Sequence, residues 1–135
     1  MTPKQIRAFC LSLPAATHVV QWEGVWVFKV GGKMFCLFAP EGHSVARLSI
    51  KCPPEHYEVL AASPPFRPAP YLARAQWVAT DDVKALPRKT VEAYIARSHA
   101  TIAAALPRRL QKELGLPEAA RPRRRQRRIA QDDQG

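Results

Sequence analysis

Two adjacent glycines, Gly31 and Gly32, interrupt an aromatic and β-branched stretch running from Trp22 to Ala39, and they narrow what this chain can become. A two-residue hairpin turn needs positive φ angles, which glycine adopts freely, so the stretch predicts two antiparallel strands folded back on each other. With Val30 paired to Lys33, Phe28 is expected opposite Phe35 and Trp26 opposite Leu37. Val27 then meets Cys36, and Lys29 meets Met34, on the other face. Both faces are largely apolar. The hairpin is therefore expected inside a sheet covered by helices on one side and by loops or a partner on the other.

The flanking segments supply the remaining layers. Thr2 reads as an N-cap with Pro3 at the first helical position, and Ile6, Phe9, Cys10 and Leu13 recur on one helical stripe before Pro14 ends it. A turn at Pro40-Glu41-Gly42-His43 leads to a third strand. There Ala46, Leu48, Ile50 and Cys52 alternate with Val45, Arg47, Ser49 and Lys51, which puts Arg47 and Lys51 together on an exposed face. Pro53-Pro54 opens a short helix ending near Ala62, and the proline-dense run Pro64 to Pro70 is expected to be an extended connector. Gln76 to Thr80 reads as a fourth strand. A long helix follows from about Arg88 to Leu106, with Val91, Tyr94, Ile95, Ser98, Ile102 and Ala105 on its apolar stripe. Pro107 starts a last helical turn or two through Leu114, with Gly115 in the C′ position. This order describes an α+β fold, an antiparallel β-sheet flanked by α-helices, with its domain boundary near residue 115.

Charge separates the domain from its tail. The 135 residues carry 21 Lys and Arg against 11 Asp and Glu, a net charge of +10. Residues 116–135 contribute Arg121, Arg123, Arg124, Arg125, Arg127 and Arg128 against Glu118, Asp132 and Asp133, so residues 1–115 are themselves basic. The tail has little apolar material with which to offset the entropy of ordering and is expected to be mobile, disordered or extended. No apolar run reaches the ~18 residues of a membrane span, and Met1 to Gln5 lacks the features of a signal peptide. A soluble cytoplasmic protein with no membrane partner is expected. Cys10, Cys36 and Cys52 fit neither a disulfide framework nor a zinc spacing and read as reduced core thiols.

Several phrases together resemble a known family. Val27-Phe28-Lys29-Val30-Gly31-Gly32-Lys33-Met34-Phe35 is followed by Leu48-Ser49-Ile50-Lys51-Cys52-Pro53-Pro54-Glu55, then by Pro70-Tyr71-Leu72 with Trp77-Val78. Tyr94-Ile95-Ala96-Arg97-Ser98 and Leu106-Pro107 complete the pattern. Residues 2–114 are similar to the MmcQ/YjbR family of small bacterial proteins. The resemblance implies a frataxin-like CyaY fold, with two helices on one face of an antiparallel sheet, and DNA binding. Where many members carry Asn-Lys and His before the tryptophan, this chain has Ala73-Arg74-Ala75-Gln76-Trp77, which keeps only the positive charge. The acidic ridge with which frataxin-like proteins hold iron has no counterpart, because the opening helix contains no carboxylate.

Catalysis and metal binding find no local signature. His18, His43, His56 and His99 lie apart from any nucleophile motif, and Pro53-Pro54 separates Cys52 from His56. No enzyme activity, cofactor or metal is expected. Of Lys29, Lys33, Arg47, Lys51 and Arg74, the first four fall on, or at the turn of, three consecutive strands. This reads either as a solvated basic rim or as cations at spacings comparable to successive phosphates, and the tail arginines add sequence-independent attraction for a polyanion. Trp22, at the start of the hairpin, is the tryptophan most exposed for stacking on a base. The expected function is DNA binding of low sequence specificity through a basic sheet face and the arginine tail. The alternative is a non-enzymatic module that binds a protein, a small ligand or a second copy through the open sheet face.

Overall fold

A computed structural model describes residues 1–116, so the tail arginines Arg121 to Arg128, and the mobility expected of them, lie outside the described residues. Helix α1 spans Pro3–Ser12 and begins as its sequence dictates. The Thr2 hydroxyl accepts from the Gln5 backbone N–H at 3.2 Å, and the Gln5 side chain accepts from the Thr2 N–H at 3.0 Å, closing a reciprocal cap. Strands β1 (Ala16–Gln21), β2 (Val25–Val30), β3 (Lys33–Phe38) and β4 (Leu48–Lys51) follow. Helix α2 (Pro54–Ala61), strands β5 (Arg67–Pro68) and β6 (Trp77–Thr80), and helices α3 (Arg88–Ala104) and α4 (Arg108–Glu113) complete the chain. The strands form one antiparallel sheet in the order β1-β2-β3-β4-β6-β5. Helix α3 crosses the centre of one face, with α1 over β1 and α2 over β6 and β5.

Two strands depart from the sequence expectation. β1, which pairs only with β2, is an edge strand whose Val19 and Val20 stay exposed, so it lacks the alternation that marks a half-buried strand. β5 lies within the proline-dense run. Pro68 is tolerated there because β5 is the sheet's other edge, where a missing N–H breaks no interior rung.

The hairpin turns at Gly31 and Gly32, with φ of 59° and 81°, and Val30 pairs with Lys33 and Lys29 with Met34. Beyond that the register slips. Phe28 pairs with Cys36, Val27 with Leu37 and Trp26 with Phe38, because a β-bulge leaves Phe35 as an extra residue on β3. Phe35 and Cys36 consequently both face the helices, and Leu37 turns to the opposite face with Val27. Burying Phe35 beside Phe28, with ring centroids 6.5 Å apart, is the packing gain that accompanies the bulge. Cys36 is therefore in the helix-side core, not on the open face expected from simple alternation.

The bulge also interrupts the β3–β4 ladder, and α3 repairs it. Ser98, fully buried, donates its hydroxyl to the Phe35 carbonyl at 2.5 Å and accepts the Lys51 backbone N–H at 2.9 Å. One side chain takes the place of a missing rung. The buried stripe of α3 is Val91, Ile95, Ser98, His99 and Ala103, whereas Ala105 caps the helix and is exposed. At the other end of α3, the buried Gln111 amide of α4 donates to the carbonyls of Ala103, Ala104 and Leu106 at 2.8–3.2 Å. These bonds satisfy acceptors that a helix C-terminus leaves open and fix α4 against α3. Gly115, with φ 67°, closes α4: its N–H reaches the Lys112 carbonyl and the Leu116 N–H reaches that of Gln111.

Two consequences are measurable. Ser98→Ala strands a buried carbonyl and a buried N–H together, and denaturant unfolding should report a loss of about 1–3 kcal/mol. Burial pushes the His99 imidazole below its ordinary pKa, while its 2.8 Å bond to the Pro14 carbonyl works the other way. The fold favours the neutral ring, so its contribution is complete above the unfolded value of about 6.5 and is lost as pH falls through the depressed folded value. The melting temperature should decline between pH 7 and pH 5, and His99→Gln should shallow that decline.

Candidate nucleic-acid interface

The sheet presents a second apolar layer on the face away from the helices. Val25, Val27, Leu37, Ala39, Ala46, Ala69, Trp77 and Ala79 form it, and loop residues Val45 and Leu72 partly cover it. The expected basic residues distribute around this face unevenly. Lys29 belongs to it, since its neighbours across β1 and β3 are Thr17 and Met34, and Met34 packs on this layer. Lys51 also belongs to it, paired with Trp77 at the end of β4. Its ammonium donates to the Ala75 carbonyl, next to exposed Arg74, and partial burial pushes its pKa below the usual lysine value. Lys51 and Arg74 thus converge at one edge of the open face.

Arg47 and Lys33 are elsewhere. Ala46 packs in the open-face layer but Leu48 in the helix-side core, so the expected alternation breaks at Arg47, which precedes β4. The Arg47 guanidinium lies 4.5 Å from the centroid of the Phe38 ring, itself part of the helix-side core, and donates to the Ala39 carbonyl at 2.7 Å. Cation–π attraction and this bond hold it on the opposite side from Lys51. The expectation that Arg47 and Lys51 share a face is corrected accordingly. Lys33 is exposed at the hairpin tip and pairs with Val30, whose side chain enters the helix-side core.

That placement gives Lys33 other company. Gly31 lies so close to α4 that a Cβ there would stand 2.6 Å from a Leu106 methyl and 3.3 Å from a Leu110 methyl. The hairpin tip therefore sits against the start of α4, whose exposed face carries Arg108, Arg109 and Lys112 beside Glu113. Sequence reasoning missed these three cations. Their spacing in Arg108-Arg109-Leu110-Gln111-Lys112, just ahead of the arginine run, was the signal that could have found them.

Among the described residues, Arg67 with Asp81 at 3.1 Å and Arg88 with Glu92 at 3.0 Å are the two salt bridges. Within that range, none of Lys29, Lys33, Arg47, Lys51, Arg74, Arg108, Arg109 or Lys112 is held in one. The reactive side chains are tied up differently. Cys10, Cys36 and Cys52 are fully buried free thiols, and burial pushes the Cys36 and Cys52 thiols up, away from the thiolate. His18 stacks on Phe28 at 4.9 Å between ring centroids, and burial pushes its pKa down. Among the described residues, no three His, Cys, Asp or Glu side chains come together as a metal site.

A family model described as YjbR matches residues 11–101. Among solved structures, the chain is similar to the crystal structure of Deinococcus radiodurans protein DR2400, described with domain DUF419. The two are 24% identical with a TM-score of 0.72, over 87% of this chain and 90% of that one, a likeness of fold. No curated protein matches. With most of the α+β domain, from the end of α1 through most of α3, under the family model, the chain belongs to the MmcQ/YjbR family.

Proposed function

We propose that this protein binds nucleic acid, DNA in preference, with little sequence specificity and without catalysis. The observation that carries this reading is the basic end formed where the hairpin tip meets α4, with exposed Lys33, Arg108, Arg109 and Lys112 outside the salt bridges of the described residues. The described chain ends just after α4, and the sequence beyond it carries Arg121 to Arg128, further cations for the same polyanion. Cations not paired with carboxylates act by displacing counterions from phosphates, which needs no base contact. Helices gathered on one face of an antiparallel sheet support a frataxin-like description of the fold, and three reduced buried thiols suit a cytoplasmic, reducing compartment. A module for a small ligand or a protein is the second reading, favoured by an apolar cavity of about 190 Å³ on the open face.

Titration of duplex DNA at several salt concentrations tests the leading reading. Log affinity should fall linearly with log salt, and replacing Arg108, Arg109 and Lys112 together by Gln should flatten the slope by about 1 for each phosphate no longer neutralised. Removing residues 117–135 should flatten it further, while Arg47→Gln should leave it unchanged. Absence of binding at about 50 mM salt would end this reading.

A further inference from the structure

The open-face cavity has features that a simple gap in the loop packing does not require. It is lined by Trp22, Met34, Leu37, Ser49, Tyr71 and Leu72 among others. Trp22 is 53% exposed and Tyr71 93% exposed, although both are large aromatic side chains that ordinarily gain by burial. Both also hold backbone conformations that bulky residues avoid, with φ of 46° and 66°. At about 190 Å³ the cavity is smaller than the roughly 300–1,000 Å³ of sites for drug-sized ligands, so it suits one planar ring system.

Charge around the cavity is ordered. Lys29 is the cross-strand partner of Met34, which lines the cavity, and Lys51 stands two residues beyond the lining residue Ser49 on the same face of β4. Arg74 follows Leu72 in the short turn whose Ala75 carbonyl receives the Lys51 ammonium. Cations thus neighbour lining residues on β2 and on the β4–β6 side. Glu23 and Glu41 lie in a separate groove beyond Trp22. This order of charge favours a phosphate chain near Lys29, Lys51 and Arg74 over the β1–β2 turn, which carries Glu23.

We propose that this cavity takes one unpaired base of a single-stranded nucleic acid, stacked against Trp22 and Tyr71, with the flanking phosphates on Lys29, Lys51 and Arg74. The inference rests on the nucleic-acid reading above and adds a preference for single strands at a site separate from the basic end. Ser49 and Tyr71 bring hydroxyls to the cavity lining, enough to orient a base edge but too few to read sequence. Stacking on aromatic faces is tolerant of base identity, in keeping with low specificity.

The test uses the full chain and an oligothymidylate carrying one 2-aminopurine, its duplex with a complementary strand, and 2-aminopurine mononucleotide. Trp22→Gly and Tyr71→Gly both keep the positive φ accessible. Tyr71→Gly removes little buried surface and should melt near the wild-type temperature, whereas Trp22→Gly also uncovers the buried half of its ring and should melt lower, so Tyr71→Gly is the stability-matched variant. Each should weaken the single strand about 5- to 150-fold while leaving duplex affinity and the salt slope unchanged. The fluorescence of 2-aminopurine should change on binding to wild type, and the change at saturation should be smaller in either variant, which keeps only one of the two aromatic faces. Equal losses for single strand and duplex, wild-type affinity in both variants, or a mononucleotide binding as tightly as the oligonucleotide would overturn the proposal. Duplex binding that persists while the base signal is absent defeats this inference alone. Failure of wild type to bind either nucleic acid at low salt defeats the underlying reading as well.

Discussion

The central strands β3 and β4 are joined beside the bulge by the hydroxyl of Ser98, set between the Phe35 carbonyl and the Lys51 N–H. A bulge in a central strand would normally leave backbone groups unpaired in the core, each as unfavourable as a broken hydrogen bond. With Ser98 in place the bulge becomes tolerable, and the parity of β3 changes at Phe35. Phe35 and Cys36 go to the helices, and Leu37 goes to the other side, where it floors the cavity that Trp22 and Tyr71 border. The same bond fixes the backbone of Lys51 and locks α3 across the strands.

From α3 the constraint passes to the basic end. Gln111 ties α4 to the last carbonyls of α3, and Leu106 and Leu110 press against Gly31. Only a residue without a Cβ allows that approach together with a φ of 59°. The cations of the hairpin tip and those of α4, far apart in the chain, become neighbours through this packing. Two surfaces of different character result: a basic end, and an apolar cavity with cations beside its lining residues. A chain that binds phosphate at one and a base at the other would use both faces of its hairpin.

Local chemistry made part of this legible in advance. The cap at Thr2, the turn at Gly31-Gly32 and the stop at Gly115 each depend on a few adjacent residues, and each stands where the sequence places it. Trp22, next to Gln21 and Glu23, is exposed as expected. The edge strands were hidden because an edge pairs on one side and need not alternate. The bulge was hidden because strict alternation through β3 also produced an apolar face on each side, so nothing in the residues chose between the registers. The place of Arg47 was hidden for a separate reason: the alternation breaks between Ala46 and Leu48, ahead of β4, and carries it across the sheet.

Sequence alone determined the α+β class, the basic character of the domain, and most of its helices and turns, because these follow from propensity, periodicity and charge over short spans. Tertiary structure decided which cations share a surface. It joined Lys33 to Arg108, Arg109 and Lys112, separated Arg47 from Lys51, and brought Tyr71 to the same cavity as Trp22. Those outcomes depend on pairing register and on a single buried hydroxyl supplied by a distant helix, and long-range packing of that kind leaves no periodic trace in the chain.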